Sequence, residues 1–159
     1  MTRFTFVATA LVIAAAPLQA QKNQPDLVDV ARGAQRVVVA TVMHVEPVFQ
    51  VNAHGDQLIV SRTHLRIDEV LKGARPAAES HDVVMEVEGG TLGDVTLTVS
   101  DLPVMTRGER AVVFLRQNSR GAMVPHERGH GILKLDSSNH VPESGLSLAA
   151  IRKAVSSAR

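Results

Sequence analysis

The sequence contains no cysteine among its 159 residues. A chain without cysteine forms no disulfide and has no thiol nucleophile, no thiolate ligands for zinc and no cysteine redox motif. The fold must therefore be stabilised by an apolar core. The many valines of the sequence can supply it.

Aromatic side chains are scarce as well. The chain has no Trp and no Tyr, and beyond residue 20 only Phe49 and Phe114 remain. Charge is balanced, because Arg3 is the only charged residue before position 21 and 16 basic residues then face 16 acidic ones. Binders of single-stranded nucleic acid use stacking platforms in a basic groove, and this sequence supplies neither. We therefore expect no nucleic-acid partner.

Residues 1–20 have the three parts of a secretory signal peptide. Arg3 gives a positive start, residues 6–16 are apolar, and Ala20 ends a segment suited to cleavage. The apolar run is too short to span a bilayer; the alternative is a buried N-terminal helix or strand. The pattern predicts a secreted or periplasmic mature chain that starts at Gln21, has no transmembrane segment and forms one domain over 21–159.

The clearest strand pattern lies in residues 58–73. Its inward face is predicted from Thr63, Leu65 and Ile67, while the residues between and beside them are polar, the period of two of a half-buried strand. The strand is expected to end at Lys72 and Gly73. Lys72 is predicted to be a solvated charge, and Gly73 can adopt the positive φ that turns the chain away from the sheet.

The preceding residues 36–47 also predict a strand, apolar on both faces in its first half and therefore interior. Residues 52–57 are rich in turn formers, so the two strands are predicted to form an antiparallel hairpin. Residues 74–81 suit an exposed connection. Residues 82–88 and 94–100 alternate again, with a hairpin turn predicted at 89–93. Residues 111–115 predict another interior strand, because they are apolar on both faces. Two further short strands are predicted at 122–124 and 131–135.

Helical patterns occur only near the two ends. Asp26 is placed to cap a short helix that ends near Gly33. After a cap at Ser147, apolar residues recur at helical spacing through Ile151 and Val155. This second helix is predicted to pack on the protein's own core, since its polar face is mixed rather than basic. The fold class is therefore mainly β, a small antiparallel barrel with a short N-terminal helix and a C-terminal amphipathic helix.

Four segments carry a resemblance: 27–42, the EVLKG of 69–73, Gly89-Gly90, and the LP…GERAVVFL of 102–115. They resemble a group of uncharacterised exported bacterial proteins, which are distantly similar to the OB-fold domain of the tissue inhibitors of metalloproteinases. The resemblance implies an OB-like barrel with a surface for binding. Those inhibitors chelate zinc through an N-terminal cysteine, and this chain has none. Their mechanism therefore does not carry over.

Residues 126–130 match the HExxH sequence motif of zinc peptidases. His126, Glu127 and His130 form an HExxH sequence, in which two histidines hold zinc and the glutamate activates water. That chemistry requires a helix, whereas Pro125 precedes the motif and Gly129 lies inside it, so a turn or an extended segment is expected.

The other five histidines have no ligand spacing: His44, His54, His64, His81 and His140. The sequence therefore predicts a non-catalytic binding or interaction domain without metal or cofactor, whose partner is a protein or an envelope component. The alternatives are a small zinc metallopeptidase that uses His126, Glu127 and His130, and a purely structural envelope protein.

Overall fold

The computed structural model describes residues 26–52, 54–74 and 81–158. The predicted signal peptide over 1–20, the start at Gln21 and most of the connection expected at 74–81 lie outside these ranges. Within them, no helix has the length and apolar character needed to cross a membrane.

The protein is mainly β, with one helix near each end of the described chain. The helices are α1 (Leu27–Gly33) and α2 (Leu148–Ser157). The strands are β1 (Arg36–Val51), β2 (Gln57–Lys72), β3 (Asp82–Glu88), β4 (Gly90–Leu92), β5 (Val95–Leu97), β6 (Arg110–Gln117), β7 (Met123–Pro125) and β8 (Ile132–Leu135). A short 3-10 turn, Arg128–Gly131, separates β7 from β8.

Both helices begin at the predicted caps. The Asp26 carboxylate accepts a hydrogen bond from the amide of Val28 at the start of α1, and the Ser147 hydroxyl accepts one from the amide of Ala150 in α2. These bonds satisfy amides that have no partner inside the helix. The helix at residues 27–33 ends where Gly33 was expected to end it.

The far end of α1 shows that one prediction was wrong. Lys72 is not a solvated charge, because its ammonium donates to the carbonyls of Ala31 (2.7 Å), Arg32 (2.9 Å) and Ala34 (2.8 Å). These carbonyls lie at the negative end of α1, where a cation is favourable. Gly73 does adopt positive φ, at 93°, as predicted.

Six strands form one sheet in the order β1-β2-β3-β7-β6-β8, and β4 and β5 form a separate pair. β1 and β2 form the predicted antiparallel hairpin, and the pairing of β3 with β7 is parallel. Because β1 also pairs with β6, the pairings run from β1 through β2, β3, β7 and β6 back to β1.

The sheet has apolar clusters on both of its faces. One cluster joins β1 and β6 to the two helices, through Val39, Phe114 and Ile151 among others. The second lies on the opposite face and includes Leu65 and Met85. The prediction that β1 and β6 are apolar on both faces is therefore confirmed, and so is the inward face of β2, where Thr63, Leu65 and Ile67 are buried.

The region after β3 differs from its prediction. The turn lies at residues 93–94 rather than across 89–93, since residues 90–92 already pair with 95–97. The alternation seen at 94–100 yields only the three-residue β5, in which Val95 is exposed. The prediction assigned Gly89 and Gly90 to the turn. In the structure these two glycines bring β4 close to the sheet instead.

Candidate functional site

A cavity of about 290 Å³ lies between the outer half of the β1–β2 hairpin and the β4–β5 hairpin. Its floor is formed by Val45 and Pro47 of β1, Ser61 and Thr63 of β2, and Val87 of β3. The remaining walls come from residues 88–91, from 96–97 of β5, and from residues 98–105, which we call the covering loop. The cavity is therefore enclosed by segments from five strands and one loop.

The β4–β5 hairpin is held over the floor by a close approach at Gly90. A Cβ on Gly90 would lie 2.6 Å from the Ser61 hydroxyl oxygen, and the residue has φ of 135°. The Ser61 hydroxyl donates to the carbonyl of Gly89 (2.7 Å), whose amide donates to the carbonyl of Ile59 (2.8 Å). Only a residue without a side chain fits this position, so the glycine pair sets the distance between hairpin and sheet.

Two cations attach the covering loop to the rest of the protein. Arg128 donates two hydrogen bonds to the Asp101 carboxylate and lies 3.5 Å from Glu88. Lys134 donates to the carbonyl of Val104 (2.6 Å) and to Glu109 (2.8 Å). The loop is thus anchored at both of its halves.

These ion pairs shift the protonation of their carboxylates. Hydrogen bonds from Arg128 lower the pKa of Asp101 against a smaller opposing effect of burial, and the carboxylates in turn raise the pKa of Arg128. Burial acts to raise the pKa of Glu109, but hydrogen bonds from Lys134 and from the Thr106 amide outweigh it and lower that pKa. Both carboxylates are therefore held in the charged form that the loop anchors require.

Thr63 stands out among the residues that line the cavity. It is only 1% exposed, and it is the one buried polar residue in the described part of the chain. Its hydroxyl oxygen is buried and has no hydrogen-bond partner within the described ranges. Burial of a hydroxyl without a partner costs about 1–3 kcal/mol. The Thr63 side chain therefore lies at the floor of the cavity, but its hydroxyl oxygen is closed off from the cavity as well as from solvent.

One apolar residue of the lining is strongly exposed. Val104 of the covering loop lines the cavity and is 73% exposed. Exposed apolar side chains at a concave site are typical of contact surfaces.

The HExxH motif lies in a turn followed by the 3-10 turn, as the glycines of its sequence predicted. Glu127 and Arg128 have φ of 56° and 53°, which belongs to the left-handed region and not to an α-helix. Gly129 packs against the covering loop, where a Cβ would lie 1.8 Å from the carbonyl oxygen of Asp101. Arg128 and Gly129, the two variable positions of the motif, therefore help to anchor that loop.

His126 is directed towards α1 instead of towards a shared metal position. A Cβ on Gly33 would lie 2.3 Å from its Nε2 atom, and its Nδ1 atom is buried without a partner among the described residues. In the part of the chain that the structure describes, no three His, Asp or Glu side chains are grouped so as to hold a metal ion.

Sequence reasoning assigned none of the cavity residues to a site. It placed Thr63 on the inward face of its strand, but the alternation carries no information on hydrogen-bond partners. The signal that was available is the Gly89-Gly90 pair, because adjacent glycines also mark a close approach of two backbones. That signal was assigned to the turn.

The comparisons with known proteins give the chain no family. A scan against models of protein families found no match, and a search of curated proteins found none either.

Proposed function

We propose that this chain is an exported, non-catalytic binding domain, and that the cavity is the place where it contacts its partner. The supporting observation is the cavity itself, a concave site lined mostly by apolar side chains, with the exposed Val104 among them. Sites for ligands are typically concave and apolar, with few polar groups that fix orientation. No catalytic group is needed for this role.

We also propose a small OB-type barrel as the scaffold, within one domain over 21–159. The circuit of pairings from β1 back to β1 supports it, as does the parallel pairing of β3 with β7. An OB-fold is a five-stranded, partly open Greek-key barrel whose face and loops bind ligands. The cavity lies where a covering hairpin and a loop meet such a face.

The partner proposed from the sequence is a protein or an envelope component. Export rests on the signal-peptide pattern of residues 1–20. Intact-mass analysis of the exported protein tests it, with a start within a few residues of Gln21 as the expected result. A retained N-terminus would contradict export by cleavage.

Affinity capture with matched variants tests the proposed function. Leu97 lines the cavity, whereas Val95, two residues away on the same strand, is exposed and outside it. Leu97→Trp places a large side chain at the cavity, and Val95→Trp adds the same side chain to the same hairpin outside it. A component of the exported fraction should be retained by the wild type and by Val95→Trp, and lost by Leu97→Trp.

Circular dichroism should show that both variants keep the wild-type fold. Retention of the same component by all three proteins would show that binding does not use the cavity. Absence of any component retained by the wild type above the level of an unrelated exported protein would contradict the binding function itself.

A further inference from the structure

Two histidines lie side by side on the outer face of the hairpin formed by β1 and β2. His44 is paired in register with His64, and the centres of their imidazole rings are 5.6 Å apart, with 45° between the ring planes. His44 is exposed and His64 is half-buried. We infer that these two histidines, together with Met43, form a surface site for a Cu(I) ion. None of the three residues lines the cavity, so this site goes beyond the proposed function.

A β-bulge in β1 creates the histidine pair. Val42 pairs with Leu65, and both are buried. In a regular strand His44, two positions after Val42, would share its inward face. The register of β1 shifts by one residue after Val42, so Met43 and His44 together lie opposite His64. Bulges redirect side chains in this way and are common beside functional sites. The bulge therefore moves His44 from the core face to the face that carries His64.

The distance between the rings fits two ligands of one metal ion. An ion bound at about 2.0–2.1 Å by one nitrogen of each imidazole places the ring centres about 5–6 Å apart when the angle at the ion is tetrahedral or trigonal. The observed 5.6 Å lies within this range. Rotation about the Cβ–Cγ bond changes which nitrogen faces the other ring and hardly moves the ring centre. The two imidazoles can therefore bind one ion without a change in the backbone.

Met43 determines which ion fits the pair. Imidazole suits zinc, copper and nickel, whereas a thioether is a soft ligand that selects Cu(I). Met43 is 40% exposed and adjacent to His44, and its three rotatable bonds let its sulfur reach an ion there. In the described part of the chain no group of three His, Asp or Glu could hold a metal, but Cu(I) is stable with three ligands, two imidazoles and one thioether. The proposal replaces the expectation of a chain without metal, which rested on ligand spacing in the sequence.

The charges beside the pair are balanced. Arg62 and Arg66 flank His64 on β2. Each has a carboxylate nearby, Glu86 at 3.4 Å from the first and Asp68 at 3.5 Å from the second. The repulsion of a cation by each arginine is therefore offset by a negative charge. A singly charged ion such as Cu(I) also meets less repulsion here than a divalent ion does.

A competition titration with Cu(I) tests the site. The protein is purified without a histidine tag, and Cu(I) is supplied with ascorbate in the presence of bicinchoninate, whose copper complex is coloured. Because the protein has no cysteine, no thiol competes for Cu(I). The variants are His44→Gln, His64→Gln and Met43→Leu. His54→Gln is the matched control, because His54 is an exposed histidine in the turn of the same hairpin.

We expect the wild type to bind one equivalent of Cu(I). His44→Gln and His64→Gln should each weaken binding by more than about tenfold, because even changes to groups that only support a metal ligand weaken binding by about that factor. His54→Gln should leave the affinity within about twofold.

Met43→Leu keeps the size of the side chain and removes the sulfur. It should weaken Cu(I) binding by about threefold or more, and leave the binding of Zn(II), measured by calorimetry, within about twofold. An NMR titration of the wild type gives a readout that depends on no variant. Cu(I) is diamagnetic, and one equivalent should shift the imidazole C–H signals of His44 and His64 but not those of His54.

An equal loss of Cu(I) affinity in His54→Gln would show that exposed histidines bind copper without a defined site, and would overturn the proposal. Absence of saturable Cu(I) binding to the wild type would overturn it as well. Unchanged Cu(I) affinity in Met43→Leu, or an equal loss of Zn(II) affinity, would overturn the assignment of Met43 as the ligand that selects copper. The capture experiment with Leu97→Trp concerns the cavity and is decided separately from each of these outcomes.

Discussion

The two ends of the hairpin formed by β1 and β2 are built differently. At one end the strands are covered by α1 and α2, and polar contacts join the helices to the hairpin: Lys72 binds the last carbonyls of α1, and Arg152 of α2 donates two hydrogen bonds to Glu69. At the other end the cover is the short β4–β5 hairpin and the covering loop.

The difference separates the stabilising part of the hairpin from the part where we propose binding. The helix-covered end buries Phe114, Ile151 and several valines completely, and this burial contributes hydrophobic free energy to folding. The hairpin-covered end leaves a cavity, an unpaired buried hydroxyl at Thr63 and exposed valines. The cavity and the unpaired hydroxyl reduce stability, while the cavity and the exposed Val104 suit the contact with a partner that we propose. Variants at the two ends should therefore have different consequences.

The two phenylalanines of the described chain give the largest contrast. Phe114 is fully buried at the helix-covered end, while Phe49 is 48% exposed on β1 near the hairpin end. Phe114→Ala should lower the free energy of unfolding by about 3–5 kcal/mol, because it removes a large side chain and leaves a void. Phe49→Ala should lower it by less than about 1 kcal/mol.

Urea unfolding followed by far-UV circular dichroism measures both changes, and the unchanged chain is the reference. If Phe49→Ala were as costly as Phe114→Ala, the hairpin-covered end would contribute to the core as much as the helix-covered end does. The division between a stabilising end and a binding end would then be wrong.

Lys72 tests whether polar pairing also stabilises the helix-covered end. Lys72→Met keeps the length of the side chain but removes the ammonium from the three carbonyls at the end of α1. The expected loss is about 2 kcal/mol, since partly buried acceptors lose a charged donor. Lys153→Met, on the exposed side of α2, is the control and should change stability by less than about 0.5 kcal/mol. Equal changes for the two variants would show that the Lys72 contacts contribute nothing.

Some parts of this fold can be predicted from the sequence, and others cannot. The caps at Asp26 and Ser147, the inward face of β2 and the doubly buried strands were predicted, because each follows from residues within one segment. The role of Lys72 was missed, because its carbonyl partners lie 38 to 41 residues earlier in the chain. A contact of that separation is set by packing and leaves no local pattern.

The cavity was missed for the same reason. Its floor was predicted correctly as a strand face, but its cover depends on how β4 folds back over β2, and that geometry is set by Gly90 against Ser61. The HExxH sequence shows the opposite case, in which a motif of matching letters lies in left-handed backbone and a turn. Its glycines, which disfavour a helix, were the more informative letters.

Gly90 tests the cover of the cavity directly. Gly90→Ala introduces a methyl group that would lie 2.6 Å from the Ser61 hydroxyl oxygen, at a φ of 135° that side chains rarely adopt. The expected loss of stability is about 1–2 kcal/mol, because the short hairpin can separate locally from the sheet without unfolding the helix-covered core. The component of the exported fraction that the wild type retains should be lost by Gly90→Ala, because the hairpin no longer covers the cavity.

Gly93→Ala is the matched control. Gly93 also has positive φ, at 59°, but a Cβ there would meet nothing within 4 Å. It should cost about 1 kcal/mol of strain and still retain the component that the wild type retains. Loss of binding in both variants would indicate that strain in the hairpin, and not its distance from Ser61, controls the cavity.

The smallest expected effect is a local response of the covering loop to acid. Its anchor Asp101 has a pKa lowered below the ordinary value of 3.8 by the hydrogen bonds from Arg128. A carboxylate whose pKa is lower in the folded state stabilises that state above its unfolded pKa, and the contribution is lost as the pH falls through the lowered value. Glu109, with its pKa also lowered, acts in the same direction on the other half of the loop.

Acidification below about pH 4 should therefore loosen residues 98–105 before it affects β6 in the helix-covered core. Hydrogen exchange of the loop and β6 amides, compared at about pH 6 and about pH 3 after correction for the intrinsic exchange rate, measures this difference. Asp101→Asn removes the carboxylate that titrates, so its loop should exchange faster than the wild type at the higher pH and resemble it more closely at the lower one. Unchanged protection of the wild-type loop across this range would show that packing of Gly129 against the Asp101 carbonyl, and not the charge of its side chain, holds the loop over the cavity.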